Sequence, residues 1–370
     1  MSLQEADILK ALDAVQLPDG KPLGASGRMT GVMINDGKVI CSIAIDAPEA
    51  GAMEPVRAAA EAAIRKLPGA KTVLVGLTAE KAPTRAAPAP GAGAAQPRAT
   101  SKPASLPGVK HIIAVASGKG GVGKSTTACN LALALAAQGL KVGMLDADIY
   151  GPSQPKLFGL RGKPKLVGPR MLEPMERFGV KVMSIGFLVD EEQAMIWRGP
   201  MVISAITQML REVAWGELDA LIVDMPPGTG DAQLTMAQQT PTSGAVIVST
   251  PQDLALLDAR RGVTMFQKVN VPILGIIENM SSFCCPNCQH ISPIFGHGGA
   301  RLEAERLGVP FLGEVPLDMN IRATSDEGRP IVATEPDSPH AQIYKRMAAQ
   351  VWASVTQGTS ARTAPRIVIE

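Results

Sequence analysis

Residues 118–125 read GKGGVGKS, four glycines interleaved with two lysines and closed by a serine. The spacing is GxxxxGK[ST], and it follows an apolar run and opens a helical one. Glycines let successive backbone N–H groups curl around phosphate oxygens, and a helix N-terminus adds partial positive charge. Gly118, Lys119, Gly120, Gly121 and Val122 form the expected loop, while Gly123, Lys124, Ser125 and Thr126 open the helix. Lys124 is placed to reach the β- and γ-phosphates of a nucleotide, and Ser125 to ligate Mg2+. Lys119 is an additional lysine, read by itself as a solvated charge.

Other segments supply carboxylates and an amide. LIVDMPPGTGD ends an apolar strand in Asp224, the Walker-B position for Mg2+. Gly228 and Gly230 then give a loop able to follow the γ-phosphate, an expected switch. Asp231 reads as the N-cap of the next helix. MLDADIYGPS ends another strand with Asp146 and Asp148. A carboxylate near the γ-phosphate can orient an attacking water. ILGIIENMS ends a strand with Asn279, whose amide either caps a turn or offers a donor and an acceptor to an adenine edge.

SSFCCPNCQH, residues 281–290, holds three of the five cysteines. A redox pair in Cys285-Pro-Asn-Cys288 would want its first cysteine at a helix N-terminus, and Pro286 follows it instead. Zn2+ accepts four thiolates, and a [4Fe–4S] cluster does too, so spacing does not separate them. In either case CxxC is half a site, and a two-fold dimer supplies the other half. His290 and His297 flank the motif and could complete a mixed Cys/His zinc site. IFGHGGA also reads as a glycine-rich turn opening a helix. Cys284 is a spectator or a spare ligand. Cys41, in a strand pattern, and Cys129, on the helix after the loop, read as buried small hydrophobes.

These residues need elements to hold them. The chain has 370 residues, is 46% hydrophobic and carries a net charge of +2, which suits two domains rather than an electrostatic nucleic-acid binder. MSLQEADILKALDAVQL is acidic and amphipathic, not a signal peptide, and no apolar run reaches the roughly 20 residues of a membrane span. The expected location is cytoplasmic, with reduced cysteines. Residues 81–108 are rich in Ala and Pro and read as a disordered tether. Residues 1–80 alternate as a small α+β domain, with strands in RMTGVMIND, KVICSIAID and KTVLVGLT, a turn at NDGK and helices in EADILKALDAV and MEPVRAAAEAAIRKL. Residues 109–357 show near-continuous apolar strands (HIIAVAS, KVGMLDAD, VKVMSIGF, ALIVDM, GAVIVST, ILGIIEN) separated by helices. That pattern predicts an α/β fold, a mostly parallel sheet covered by helices on both faces. Residues 358–370 form a tail.

KGGVGKS resembles the deviant P-loop of the MinD/ParA class of ATPases. The resemblance implies that Lys119 crosses a homodimer interface to the partner's nucleotide, in the manner of an arginine finger. It also implies that Asp146 positions the attacking water, that Asp148 lies near Mg2+ and that Asn279 reads the base. In order along the chain, SGKGGVGKST, DADIYGPS, WRGPM, DMPPGTGD, NMSSFCCPNC and IFGHGGA resemble the Mrp/ApbC-type iron–sulfur cluster carrier ATPases, relatives of MinD. This covers residues 109–357. It implies a homodimer that hydrolyses ATP slowly, holds a [4Fe–4S] cluster between the Cys285 and Cys288 pairs of two subunits, and passes it to apo-proteins. Assembly scaffold proteins would be further partners, and neither nucleic acid nor membrane is expected. Residues 1–80 resemble the MIP18-type domain. The cysteine such domains often carry after the second core strand is missing from DAPEAGAMEP, so a docking role is expected there. The rival readings are a MinD/ParA-like positioning ATPase, for which the tail offers no amphipathic helix or basic face, and a zinc-dependent regulator.

Overall fold

The computed structural model describes residues 4–35, 38–45, 50–70, 72–79, 105–168, 171–189 and 199–357. The expected tether up to residue 104, the tail from 358, Asp36 and Gly37 of the NDGK turn, residues 46–49, and Trp197 and Arg198 lie outside them. Contacts divide the chain into two units, Met1–Ala99 and Thr100–Glu370.

The first unit contains α1 (Glu5–Leu12), β1 (Met29–Asn35), β2 (Lys38–Ile45), α2 (Ala50–Arg65) and β3 (Thr72–Ala79). Its sheet has the order β1-β2-β3, with β1 and β2 antiparallel and β2 and β3 parallel across α2. Ile8, Leu12, Ile43, Met53 and Ile64 fill the core between sheet and helices. Cys41 is buried among them, and burial pushes its thiol up to about 12, so it is a packing residue.

The second unit alternates strand and helix. It contains β4 (Val109–Ala116), α3 (Lys124–Ala136), β5 (Val142–Asp146), α4 (Gln154–Leu157), β6 (Leu166–Val167), β7 (Met171–Leu172), β8 (Met175–Arg177) and β9 (Val180–Ser184). After these come α5 (Gly199–Arg211), β10 (Leu218–Asp224), α6 (Asp231–Gln239), β11 (Gly244–Ser249), α7 (Asp253–Lys268) and β12 (Ile273–Cys284). The last group is β13 (Ile291–Ser292), α8 (Gly299–Leu307), β14 (Phe311–Leu317), α9 (Met319–Asp326), α10 (Ile331–Thr334) and α11 (Pro339–Thr356).

The main sheet runs β12-β11-β4-β10-β5-β9, all parallel, with β14 parallel to β12 at one side. Short antiparallel strands β8 and β13 finish its edges. Every residue of β11 is buried, as are the last five of β4, because helices cover both faces. The order places β10 between β4 and β5, so their C-terminal ends lie side by side. Asp224 is in register with both Val115 and Asp146.

Two strand readings and one helix-cap reading change. The strand expected in VKVMSIGF stops at Ser184, whose hydroxyl accepts the Gly186 N–H and turns the chain into a 3-10 segment. The strand expected to end at Asn279 runs on to Cys284 after a register break, with Met280 at φ 57 absorbing the bend. Asp231 is the first helical residue of α6, and Gly230 stands at its N-cap. Among the described residues no helix is long and apolar enough to cross a membrane.

The segment after β5 is pinned from behind. Gly328, at φ 67, packs so closely that an added Cβ would lie 2.4 Å from the Gly159 Cα and 2.9 Å from the Lys156 carbonyl oxygen. Both obstacles are backbone. Gly328→Ala is expected to cost about 1–3 kcal/mol, seen as a lower urea midpoint at unchanged slope. A midpoint equal to wild type would show that the contact is slack.

Candidate functional site

The loop between β4 and α3 is held on three sides. The Ser117 hydroxyl donates to the Lys119 carbonyl at 2.9 Å. Gly118 lies against α7, where a Cβ would come within 2.2 Å of the Asp258 carbonyl carbon. Gly123, at φ 82, faces Asn279, and a Cβ would meet its Nδ2 at 2.1 Å. Both positions therefore require glycine. Gly123 is also the N-cap of α3 and supplies no side-chain acceptor, so the first N–H groups of that helix stay available to an anion. Gly120 and Gly121 are exposed and Val122 is buried, while Ser125 and Thr126 are half-buried at the helix start.

Lys124 is buried, and its ammonium donates to Asp224 Oδ1 at 2.5 Å and to Ser125 Oγ at 3.2 Å. Asp148 Oδ2 stands 3.8 Å away. Asp224 is fully buried, and its Oδ2 accepts the side-chain amide of Gln154 at 2.8 Å. Asp146 is also fully buried. Its Oδ2 accepts from Ser153 N at 2.9 Å, Gln154 N at 3.0 Å and Ser184 Oγ at 3.0 Å, while its Oδ1 accepts from Asp148 N at 3.2 Å. Burial, followed by the charge of Asp224, pushes the Asp146 carboxyl up to about 7 against these donors and Lys124. Burial raises Asp148 as well, opposed by Lys124. Asp148 Oδ1 accepts the Gly151 N–H at 3.3 Å. The three carboxylates, Lys124 and Ser125 are thus one cluster at the ends of three neighbouring strands. The loop after β10 joins it, since the Gly228 N–H donates to the Ser117 carbonyl at 3.0 Å.

Lys119 stands apart from this cluster. It is exposed, and its ammonium has no partner among the described residues.

Asn279 is buried, and its Nδ2 donates to the Val122 carbonyl at 2.8 Å. The strand that carries it continues to Cys284, which pairs with Ile291 in the β12–β13 hairpin. Cys285 and Cys288 occupy the turn of that hairpin. The Cys285 N–H donates to the His290 carbonyl at 3.0 Å, and the Gln289 N–H to the Cys285 carbonyl at 2.8 Å, which closes the turn. Backbone N–H groups of Cys288 and Asn287 and the Cys288 thiol point at the Cys285 sulfur and lower its pKa. Cys284 is exposed, and its thiol lies 3.7 Å from the Gln289 carbonyl. Cys288 is exposed as well. His297 is engaged elsewhere, with Glu314 at 3.1 Å. Among the described residues no group of three or more His, Cys, Asp or Glu side chains converges to hold a metal within one chain. Cys129 is fully buried on α3, and burial raises its thiol well above the ordinary range.

Two participants escaped the sequence. Gln154 joins Ser125 to Asp224, and no motif asks for a glutamine there. Glu278 accepts the N–H groups of Gly298 and Ala300 at 2.9 and 2.7 Å, anchoring the IFGHGGA turn and α8 to β12. A carboxylate inside the apolar run ILGIIEN was the available signal, because a buried charge demands partners.

Comparison with known proteins bears on both units. A family model described as NUBPL iron-transfer P-loop NTPase matches residues 108–352, and one described as iron–sulfur cluster assembly protein matches residues 5–75. The iron–sulfur cluster transfer protein NUBPL of Mus musculus is 55% identical over 256 residues, covering 69% of this chain and 80% of its own length. An iron–sulfur cluster carrier protein of Pseudomonas fragi is 55% identical over 250 residues, 66% of this chain and 87% of its own length. Among solved structures, a nucleotide-binding protein of Archaeoglobus fulgidus in complex with ADP, in which cobalt was found, superposes with a TM-score of 0.56 at 44% identity. That match covers 64% of this chain and 92% of the other.

The hairpin geometry sets a chemical expectation for the reduced, metal-free protein. Cys285 should be alkylated by iodoacetamide with a pH midpoint below the free-thiol value of about 8.5. Peptide mapping by mass spectrometry against pH reads this. A midpoint at or above that value would mean the N–H groups do not stabilise the thiolate.

Proposed function

The chain belongs to the family of NUBPL iron-transfer P-loop NTPases, and from that premise we propose that it is a homodimeric, Mg2+-dependent ATPase that carries a [4Fe–4S] cluster between its subunits and delivers it to apo-proteins. The carrying observation is that one strand serves both ends of the task. β12 binds the phosphate loop through Asn279 and runs on into the cysteine turn.

The loop N–H groups and Lys124 bind the phosphates. With Nδ2 committed to Val122, Asn279 presents its oxygen to a base, which suits the exocyclic amine of adenine. Ser125, Asp224 and Asp148 offer the hard oxygen donors Mg2+ selects, and the buried, unpartnered Oε1 of Gln154 beside them fits a hydrated cation. Mg2+ held by these residues would supply positive charge against the phosphate oxygens. Asp146, with three donors on its Oδ2 and one on its Oδ1, fixes the loop that carries Asp148 and orients the attacking water through Oδ1. Lys119, without a partner among the described residues, reaches the partner's nucleotide. Cys285 and Cys288 from both subunits give the four thiolates of the cluster, which is cargo. Scaffold proteins load it and apo iron–sulfur proteins receive it. The first unit, with no cysteine in the sequence of residues 46–55 and Cys41 buried, serves docking.

Anaerobic reconstitution with iron and sulfide tests the cargo. Wild type should hold about four irons per dimer with a broad visible absorbance, and Cys285→Ala/Cys288→Ala should hold none. Tight zinc without a chromophore would favour a zinc-dependent regulator, and an unchanged double variant would sink the assignment.

ATP turnover per subunit should rise with protein concentration and reach a plateau, because Lys119 acts only in a closed dimer. Lys119→Ala should remain low at every concentration. Turnover independent of concentration in wild type at sub-micromolar protein would count against action across the interface.

A further inference from the structure

Gln154 opens α4 and is fully buried. Its side-chain NH2 donates to the Ser125 carbonyl at 3.1 Å and to Asp224 Oδ2 at 2.8 Å. Both partners are acceptors, so only the NH2 end can face them and the amide orientation is fixed. Its backbone N–H donates to Asp146 Oδ2 at 3.0 Å. One residue therefore ties the start of the phosphate-binding helix to the strand-end carboxylates of β5 and β10. Its Oε1, by contrast, is buried without a hydrogen-bond partner among the described residues. A buried carbonyl left unpaired is costly, so a donor belongs there.

We propose that Gln154 is a positioning residue of the Mg2+ site: its NH2 group locks the Asp224 carboxylate by occupying Oδ2, and its Oε1 accepts from a water of the ion's hydration shell. Asp224 Oδ1 already accepts from the Lys124 ammonium, which also donates to Ser125 Oγ. With Oδ2 held from behind, the carboxylate cannot rotate away from the place where Ser125 Oγ would share a cation. Mg2+ keeps several of its waters and takes only one or two carboxylates from a protein, so acceptors for those waters are part of its site. Outer partners of this kind commonly set metal affinity by 10–100-fold.

The inference rests on the nucleotide and Mg2+ reading above, and the test separates the two. ADP is titrated calorimetrically into the full-length protein with MgCl2 and, separately, with EDTA, for wild type, Gln154→Met and Gln154→Glu. Methionine fills the space with a flexible apolar chain. Glutamate keeps the length and shape but has no N–H to give. Thermal unfolding of each variant confirms that it is folded. In wild type, Mg2+ should tighten ADP binding. In both variants that tightening should shrink by about tenfold or more, while ADP binding in EDTA stays comparable to wild type. Full Mg2+ tightening in both variants would overturn the inference and leave the functional reading standing. So would a loss in Gln154→Met with none in Gln154→Glu at a pH high enough to ionise the glutamate, because the hydrogen bond donated to Asp224 would then be dispensable. Absence of any Mg2+ effect in wild type would overturn both. If one variant fails to fold, the other decides.

Discussion

The second unit is organised around one buried ion pair, Lys124 with Asp224. An ammonium and a carboxylate taken out of water must be matched closely, or the desolvation cost exceeds the attraction. Here the match is made by geometry that only this sheet order supplies. β10 lies between β4 and β5, so Asp224 emerges beside both the phosphate loop and Asp146. Ser125 and Gln154 complete the hydrogen bonds of the pair. The pair does not neutralise its surroundings, however. Asp146, Asp148 and Asp224 set three potential negative charges against one lysine. Burial first, and the charge of Asp224 second, press the Asp146 carboxyl upward. A site with surplus buried carboxylate, hard oxygen donors and a helix N-terminus is suited to a phosphate–cation complex, whose charges complement both halves.

Much of this was legible in the sequence, for a physical reason. Buried parallel strands cannot tolerate polar residues on either face, so β4, β5, β10 and β11 read as apolar runs and the residues that end them stand out. A carboxylate at such an end, as at Asp146 and Asp224, has no packing explanation. The glycines of residues 118–123 are equally visible, because Gly118 and Gly123 have no room for a side chain. Gln154 was not legible, since its importance arises from three partners distant in sequence and from none nearby. β14 was hidden by Gly313 and Pro316, which interrupt a strand pattern that pairing with β12 overrides. The continuation of β12 past Asn279 was hidden by Met280, which adopts a left-handed backbone that sequence rules reserve for glycine or asparagine.

That continuation alters how the cysteine turn relates to the nucleotide. A CxxC on an independent loop would take up cargo without regard to the phosphate site. Here the turn closes a hairpin whose long strand is hydrogen-bonded to β11 and β14, and to Val122 through Asn279. Glu278, the preceding residue, is fixed to the start of α8. Any movement of the phosphate loop that displaces the Val122 carbonyl must either break the Asn279 bond or carry the strand with it. Met280, at positive φ, marks the register break between Asn279 and the hairpin. Coupling of this kind is reciprocal: if the nucleotide shifts the thiolates, occupancy of the thiolates shifts nucleotide affinity by the same factor. In the dimer proposed above, a cluster gripped from both sides would fix the two hairpins to each other and so report the state of one phosphate loop to the other. In the proposed dimer, loading and release of the cargo are then steps in which both nucleotide sites take part.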